Sequence, residues 1–172
     1  MRVKVSSIKS LDANAMTPAA KSCGQYLNSQ LAKIEVVKAG YEEAVMLNNA
    51  GFVTQGTGEN IFMVRRGQIV TPPIASGLLE GITRDTVMQI ADSLGHPVVE
   101  RDFTRSDLII ADEVFYSGTA AEVVPIREID DHLIGEPGPL TKQVQAVFHE
   151  IIAGRSERFG HFLEYVDEAV RA

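Results

Sequence analysis

The sequence predicts an α+β fold, and three observations carry that expectation. Strand-like runs come in pairs around turn residues, at 43–54 and again at 60–71. Separate segments repeat apolar residues at three- and four-residue steps and read as helices. No internal repeat, low-complexity tract or long linker divides the chain. Residues 1–172 are therefore expected to form one domain, long enough for a real core.

The elements follow in order. Residues 3–7 alternate and predict a short strand, and 11–20 are irregular, broken by Asp12, Asn14 and Pro18. Residues 25–39 carry a helical pattern through Leu27, Leu31, Ile34 and Val37, with Gly40 as its stop. Residues 43–47 read as a strand, 48–51 as a turn and 52–54 as the return. A second hairpin pairs 60–64 with 68–71 around Arg65-Arg66-Gly67 and ends at Pro72-Pro73. Residues 83–94 predict a helix with Val87, Ile90, Ala91 and Leu94 on one face and Gly95 after it. Residues 97–100 read as a short strand. Residues 104–110 predict a short helix, with Thr104 and Asp107 as a carboxylate form of the capping box. Strands are expected at 113–116 and 122–129, followed by a turn at Asp130-Asp131-His132. A helix over 140–152 is entered through Gly138-Pro139 and stopped by Gly154, and a last short helix is expected over 162–170.

Composition excludes several classes. Hydrophobic residues make up 45% and charged residues 23%, as in ordinary soluble globular proteins. The net charge of −7 and the lack of a basic run argue against nucleic acid or an anionic membrane as partner. No apolar stretch approaches the ~20 residues that span a bilayer. Residues 1–5 hold no apolar signal-peptide region. One cysteine, Cys23, allows no intrachain disulfide and fits a reducing, cytoplasmic compartment. Its neighbour Lys21 raises a redox-sensitive thiol as an option, but a small core residue is the expectation. His96, His132, His149 and His161 are scattered, without metal-ligand spacing, and are read as structural or exposed.

Four segments carry the chemistry: Ala20-Lys21-Ser22-Cys23-Gly24-Gln25-Tyr26, Gly56-Thr57-Gly58-Glu59-Asn60, Gly81-Ile82-Thr83-Arg84 and Ser117-Gly118-Thr119-Ala120-Ala121-Glu122. One amine and several anion-type loops suit a pyridoxal phosphate site. The amine would hold the aldehyde as a Schiff base. Backbone N–H groups where a helix begins would hold the phosphate. The loop at 117–121 offers a second concavity of backbone amides. The glycines at 56 and 58 permit tight backbone approach.

In this order the segments resemble the fold-type IV pyridoxal phosphate enzymes, and within them the branched-chain amino acid aminotransferases. The resemblance runs from about Val5 to Val166. It implies the large domain of that fold, a strand pseudo-barrel with helices packed outside. It implies amino-group transfer between a branched-chain amino acid and 2-oxoglutarate, and a homodimer or higher homo-oligomer. Lys21 takes the role of the Schiff-base lysine and proton carrier, and Tyr26 that of hydrogen-bond partner to the cofactor's phenolic oxygen. Ile82, Thr83 and Thr119 would hold phosphate, with Thr119 and Ala120 at the substrate carboxylate. Leu79 would pack on the pyridine ring; the residues alone leave it equally open as ordinary core. Glu59 and Asn60 are read as structural.

The chain departs from the family pattern at two points. The family has a glutamate directly before the first glycine loop, keeping the pyridine nitrogen protonated, whereas this chain has Gln55. A neutral amide can donate to an unprotonated nitrogen but supplies no negative charge, so proton abstraction is expected to be slower. Asn48, where relatives often carry aspartate, is a milder change. The family's smaller N-terminal domain also has no counterpart in this sequence. Two alternatives follow: a D-amino acid aminotransferase or aminodeoxychorismate lyase on the same scaffold, or a catalytically impaired cofactor-binding domain.

Overall fold

Within residues 1–165, which the computed structural model describes, ten strands form two five-stranded sheets. The first contains β1 (Arg2–Val5), β2 (Glu43–Leu47), β3 (Val53–Gln55), β9 (Glu128–Ile129) and β10 (His132–Leu133), in the order β10-β9-β1-β2-β3. The second contains β4 (Asn60–Arg65), β5 (Gln68–Thr71), β6 (Val99–Glu100), β7 (Glu113–Gly118) and β8 (Glu122–Ile126), in the order β6-β5-β4-β7-β8. β1 is central to its sheet. It pairs in parallel with β2 through Val3 and Glu43, and with β9 through Val3 and Ile129.

Strand alternation separates two cores. Ile61 and Met63 of β4, with Val114 and Tyr116 of β7, face the first sheet and meet Val3 and Val45. Phe62 of β4 and Phe115 of β7 point the other way and stack with ring centroids 5.0 Å apart. They pack beneath α2 (Ile82–Ser93) and α4 (Pro139–Ile152), which add Val87, Ile90, Val144 and Phe148. The start of α4 is satisfied from the sheet. Glu113 accepts the N–H groups of Leu140 at 3.2 Å and Thr141 at 2.7 Å. Gly138 makes this possible, because a Cβ there would lie 2.1 Å from the Glu113 carboxyl carbon. A carboxylate at a helix N-terminus is also favoured by the dipole.

The expected helices appear with small boundary shifts: α1 (Tyr26–Lys38), α2, α3 (Arg105–Ile109) and α4. The capping box of α3 is present, with Asp107 accepting the Thr104 N–H at 2.7 Å. Both expected hairpins form. The strand expected over 122–129 is broken at Arg127. There the chain leaves the second sheet, the Arg127 N–H donates to Met1 O, and Glu128–Ile129 joins β1 instead. The expected helix over 162–170 is a single 3-10 turn at Gly160–Phe162, and 163–165 are not helical. Residues 166–170 lie outside the described residues.

α1 is used differently from its pattern. Ala32 and Val36 meet Ala44 and Met46 of β2 in a third small core. The residues whose spacing predicts the helix are exposed: Leu27 by 69%, Leu31 and Ile34 by 49%, Val37 by 51%. At about 100° per residue they lie on the face opposite Ala32. Polar anchors flank the buried side. Glu35 accepts the Ser6 hydroxyl and the Ser7 N–H, and Lys33 donates to Glu42 O at 2.6 Å and pairs with the buried Glu43 carboxylate.

Candidate active site

Lys21 sits between two 3-10 turns, Pro18–Ala20 and Cys23–Gln25, just before α1. Its backbone is left-handed, with φ 47° and ψ 38°. For a residue with a Cβ this costs on the order of 1 kcal/mol or more. The strain turns the chain so that the lysine enters the same cavity as residues from three other segments. Tyr26 is the first residue of α1, Gln55 the last of β3, and Leu79 precedes α2. All four line one cavity of about 350 Å³, with Pro18, Ser29 and Thr57.

A second cavity, of about 670 Å³, shares Lys21, Leu79 and Gly58 with the first. Its far wall is made by Gly81, Ile82, Thr83, Ser117, Gly118 and Thr119. Here α2 begins at Gly81 with no side-chain cap. The first N–H groups of the helix are therefore available to an anion. Gly81 is held close, because a Cβ on it would come within 2.2 Å of Asn60 Oδ1. Asn60 itself donates to Leu79 O at 2.8 Å and so ties the segment before α2 to β4. The Ser117 hydroxyl is fully buried, lines this cavity and has no partner among the described residues. The sequence marks Ser117 only as part of a backbone loop. Its place before Gly118 and Thr119 is the available signal for a side-chain donor.

The glycine loop is anchored from below. Gly56 N–H donates to Glu59 O at 2.7 Å, and Gly58 N–H to the Glu59 carboxyl at 3.1 Å. Thr57 donates through its hydroxyl to Glu43 at 2.6 Å. A Cβ on Gly56 would meet that Glu59 oxygen at 2.7 Å and the Tyr116 ring at 3.1 Å. Burial, then the nearby Glu43 charge, raises the Glu59 pKa. Burial also raises the Tyr116 phenol well above its ordinary value, and its hydroxyl donates to Ala44 O at 2.9 Å. Glu59 and Asn60 thus serve neighbouring backbone groups, as expected from the sequence.

The structure brings Lys21, Tyr26, Gln55, Leu79, Ile82, Thr83 and Thr119 to these two adjoining cavities. Ala120 follows Thr119 in the turn but lines neither cavity. Cys23 is exposed, not the small core residue expected, because its 3-10 turn lies on the surface before α1. The residue set fits pyridoxal phosphate: an amine, a phenol, an apolar side chain and an amide at one end, a helix start with an orphan buried hydroxyl at the other.

The two sheets thus carry an amine-bearing slot that opens onto the start of α2. The chain belongs to the amino-transferase class IV family, whose profile matches residues 1–129. It is 45% identical over 166 residues to a probable branched-chain-amino-acid aminotransferase of Aquifex aeolicus, covering 95% of this chain and 53% of that protein. The branched-chain aminotransferase of the thermophilic archaeon Thermoproteus uzoniensis, solved with norvaline, has a TM-score of 0.92 at 45% identity. That match covers 95% of this chain and 55% of the other. The Thermobaculum terrenum branched-chain amino acid aminotransferase in its pyridoxal phosphate form has a TM-score of 0.92 at 42% identity, over 95% of this chain and 54% of that one. The chain thus spans about half the length of the relatives it matches.

Proposed function

We propose that this chain is the cofactor-binding part of a branched-chain amino acid aminotransferase. It would serve transfer of an amino group between a branched-chain amino acid and 2-oxoglutarate, with pyridoxal phosphate as cofactor. One observation carries the reading: Lys21, Tyr26, Gln55 and Leu79 share a slot that opens onto the start of α2 beside the orphan Ser117 hydroxyl. Relatives and solved structures described as branched-chain aminotransferases support it.

Bound pyridoxal phosphate supplies a reactive aldehyde and an electron-withdrawing ring. The chain's residues do the rest. The N–H groups of Ile82 and Thr83, the Thr83 hydroxyl and the 117–119 loop hold the phosphate. Leu79 keeps water from one face of the ring, and the Tyr26 hydroxyl donates to the phenolic oxygen. Lys21 Nζ carries the proton to and from the substrate's α-carbon. Thr119 and Ala120 offer N–H groups to the substrate carboxylate. Residues 1–172 act as one domain in the cytoplasm; among the described residues no helix is long and apolar enough to cross a membrane. The exposed stripe of α1 pairs two copies into a homodimer, which returns Leu27, Leu31 and Ile34 to an apolar setting.

The test is chemical. Borohydride reduction of the chain loaded with pyridoxal phosphate, followed by peptide mapping, should label Lys21. A label on Lys33 or Lys38 would sink the site. Sedimentation should show a dimer that Leu27→Gln with Leu31→Gln converts to monomer. A transamination assay with valine or leucine and 2-oxoglutarate separates a branched-chain enzyme from one acting on other amino acids.

A further inference from the structure

We propose that Gln55 holds the cofactor's pyridine nitrogen in its unprotonated state, by donating an amide N–H to it. This rests on the proposed cofactor site and assigns one atom within it.

The orientation of the amide follows from its partner. The Leu79 backbone N–H donates to Gln55 Oε1 at 2.9 Å. A backbone N–H needs an acceptor, and the –NH₂ end of a glutamine has none to offer. The oxygen is therefore turned to Leu79, and the N–H groups are what Gln55 has left for the slot. Leu79 lines that same slot, so the bond also fixes the amide beside the apolar face on which a flat ring would rest.

Charge decides between the two protonation states. Oε1 keeps a second lone pair, so a protonated ring could in principle donate to it. But the residues lining the ring-end slot include no aspartate or glutamate, and their one cationic side chain is Lys21. Tyr26 is the other titratable group there. Glu80 lines the anion end instead. Beneath the glycine loop, Glu43 is taken up by Lys33, Thr57 and the Ala44 N–H. Glu59 is turned onto Gly58, and burial favours its neutral form. A pyridinium would thus face a neutral amide, with no carboxylate in the slot to balance it. An unprotonated ring nitrogen is an acceptor and meets the donor that the Leu79 bond leaves free.

The experiment loads the chain with pyridoxal phosphate labelled with ¹⁵N in the ring and reads the nitrogen's chemical shift. In the unmodified chain the shift should be that of a neutral pyridine. In Gln55→Glu it should move upfield to that of a pyridinium. Affinity supplies a second measurement that needs no variant. Ring N-methylated pyridoxal phosphate cannot accept a hydrogen bond, and the chain should bind it roughly tenfold or more weakly than pyridoxal phosphate. A pyridinium shift in the unmodified chain, or equal affinity for the two compounds, overturns the proposal. Borohydride mapping keeps the two readings apart. A label on Lys21 together with a pyridinium shift overturns this proposal alone, whereas no bound cofactor overturns the site as well.

Discussion

Helices α1 and α4 are of similar length, but only α4 gathers its large apolar residues on one face, and the two meet their sheets in opposite ways. α4 turns Leu140, Val144, Phe148 and Ile151 onto the second sheet. α1 turns only Ala32 and Val36 onto the first and leaves its larger residues outside. The reason lies on the sheet. β2 offers Ala44 and Met46 to α1, a surface that small helix residues approach closely. The polar anchors then set the rotation. Turning the stripe inward would draw Lys33 from Glu43, and a buried carboxylate left without its cation is destabilising. Apolar spacing along a helix therefore does not by itself say which face a sheet will take.

The largest expected effect lies under α4. Phe148→Ala should cost about 3–5 kcal/mol in urea unfolding, the range for truncating a buried aromatic. Leu31→Ala at low protein concentration should stay within about 0.5 kcal/mol of the unmodified chain. Equal losses would mean that the α1 stripe is buried within the folded chain. Next comes the anchor. Lys33→Met should cost about 2–3 kcal/mol by stranding the Glu43 carboxylate, and adding Glu43→Gln should recover much of it. If the pair of changes is as damaging as the first alone, the ion pair does not set the helix.

The smallest effect is a matter of pH, on the polar side of the same sheet. Burial raises the Glu59 pKa above its ordinary 4.5. Above that pH, the folded chain holds a proton that the unfolded chain has lost. Stability therefore falls as pH rises through this window. Glu59→Gln removes the titration, while an amide oxygen can still accept the Gly58 N–H. Unfolding measured from mildly acidic to neutral pH should show a flatter profile for the variant. A steeper one would mean that the carboxylate is stabilised in the fold.

Much of this was legible in the residues, for local reasons. The two hairpins are marked by Asn48-Asn49-Ala50-Gly51 and Arg65-Arg66-Gly67, and turn chemistry is a short-range signal. The α3 capping box lies within four residues. The motif segments around Lys21, Gln55, Thr83 and Thr119 converge on adjoining cavities. What stayed hidden depends on distant partners. The break at Arg127 requires Met1, more than a hundred residues away. The outward turn of α1 is set by β2, and the orphan state of Ser117 depends on what its neighbours do not offer. Spacing within one segment reports none of these.

The position of β1 has a consequence for how the chain comes to be folded. Its four residues are made long before β9, yet one edge waits for that strand, with Arg2 opposite Glu128 and Val3 opposite Ile129. Contacts so far apart in sequence are slow to form, because the loop between them must be closed first. On the ribosome, the β4–β5 hairpin and α2 can assemble as they emerge, ahead of β9. The first sheet keeps an open edge until residue 129 has left the exit tunnel. Through that interval β1, in the sheet that carries Gln55, presents unpaired backbone groups to any neighbour.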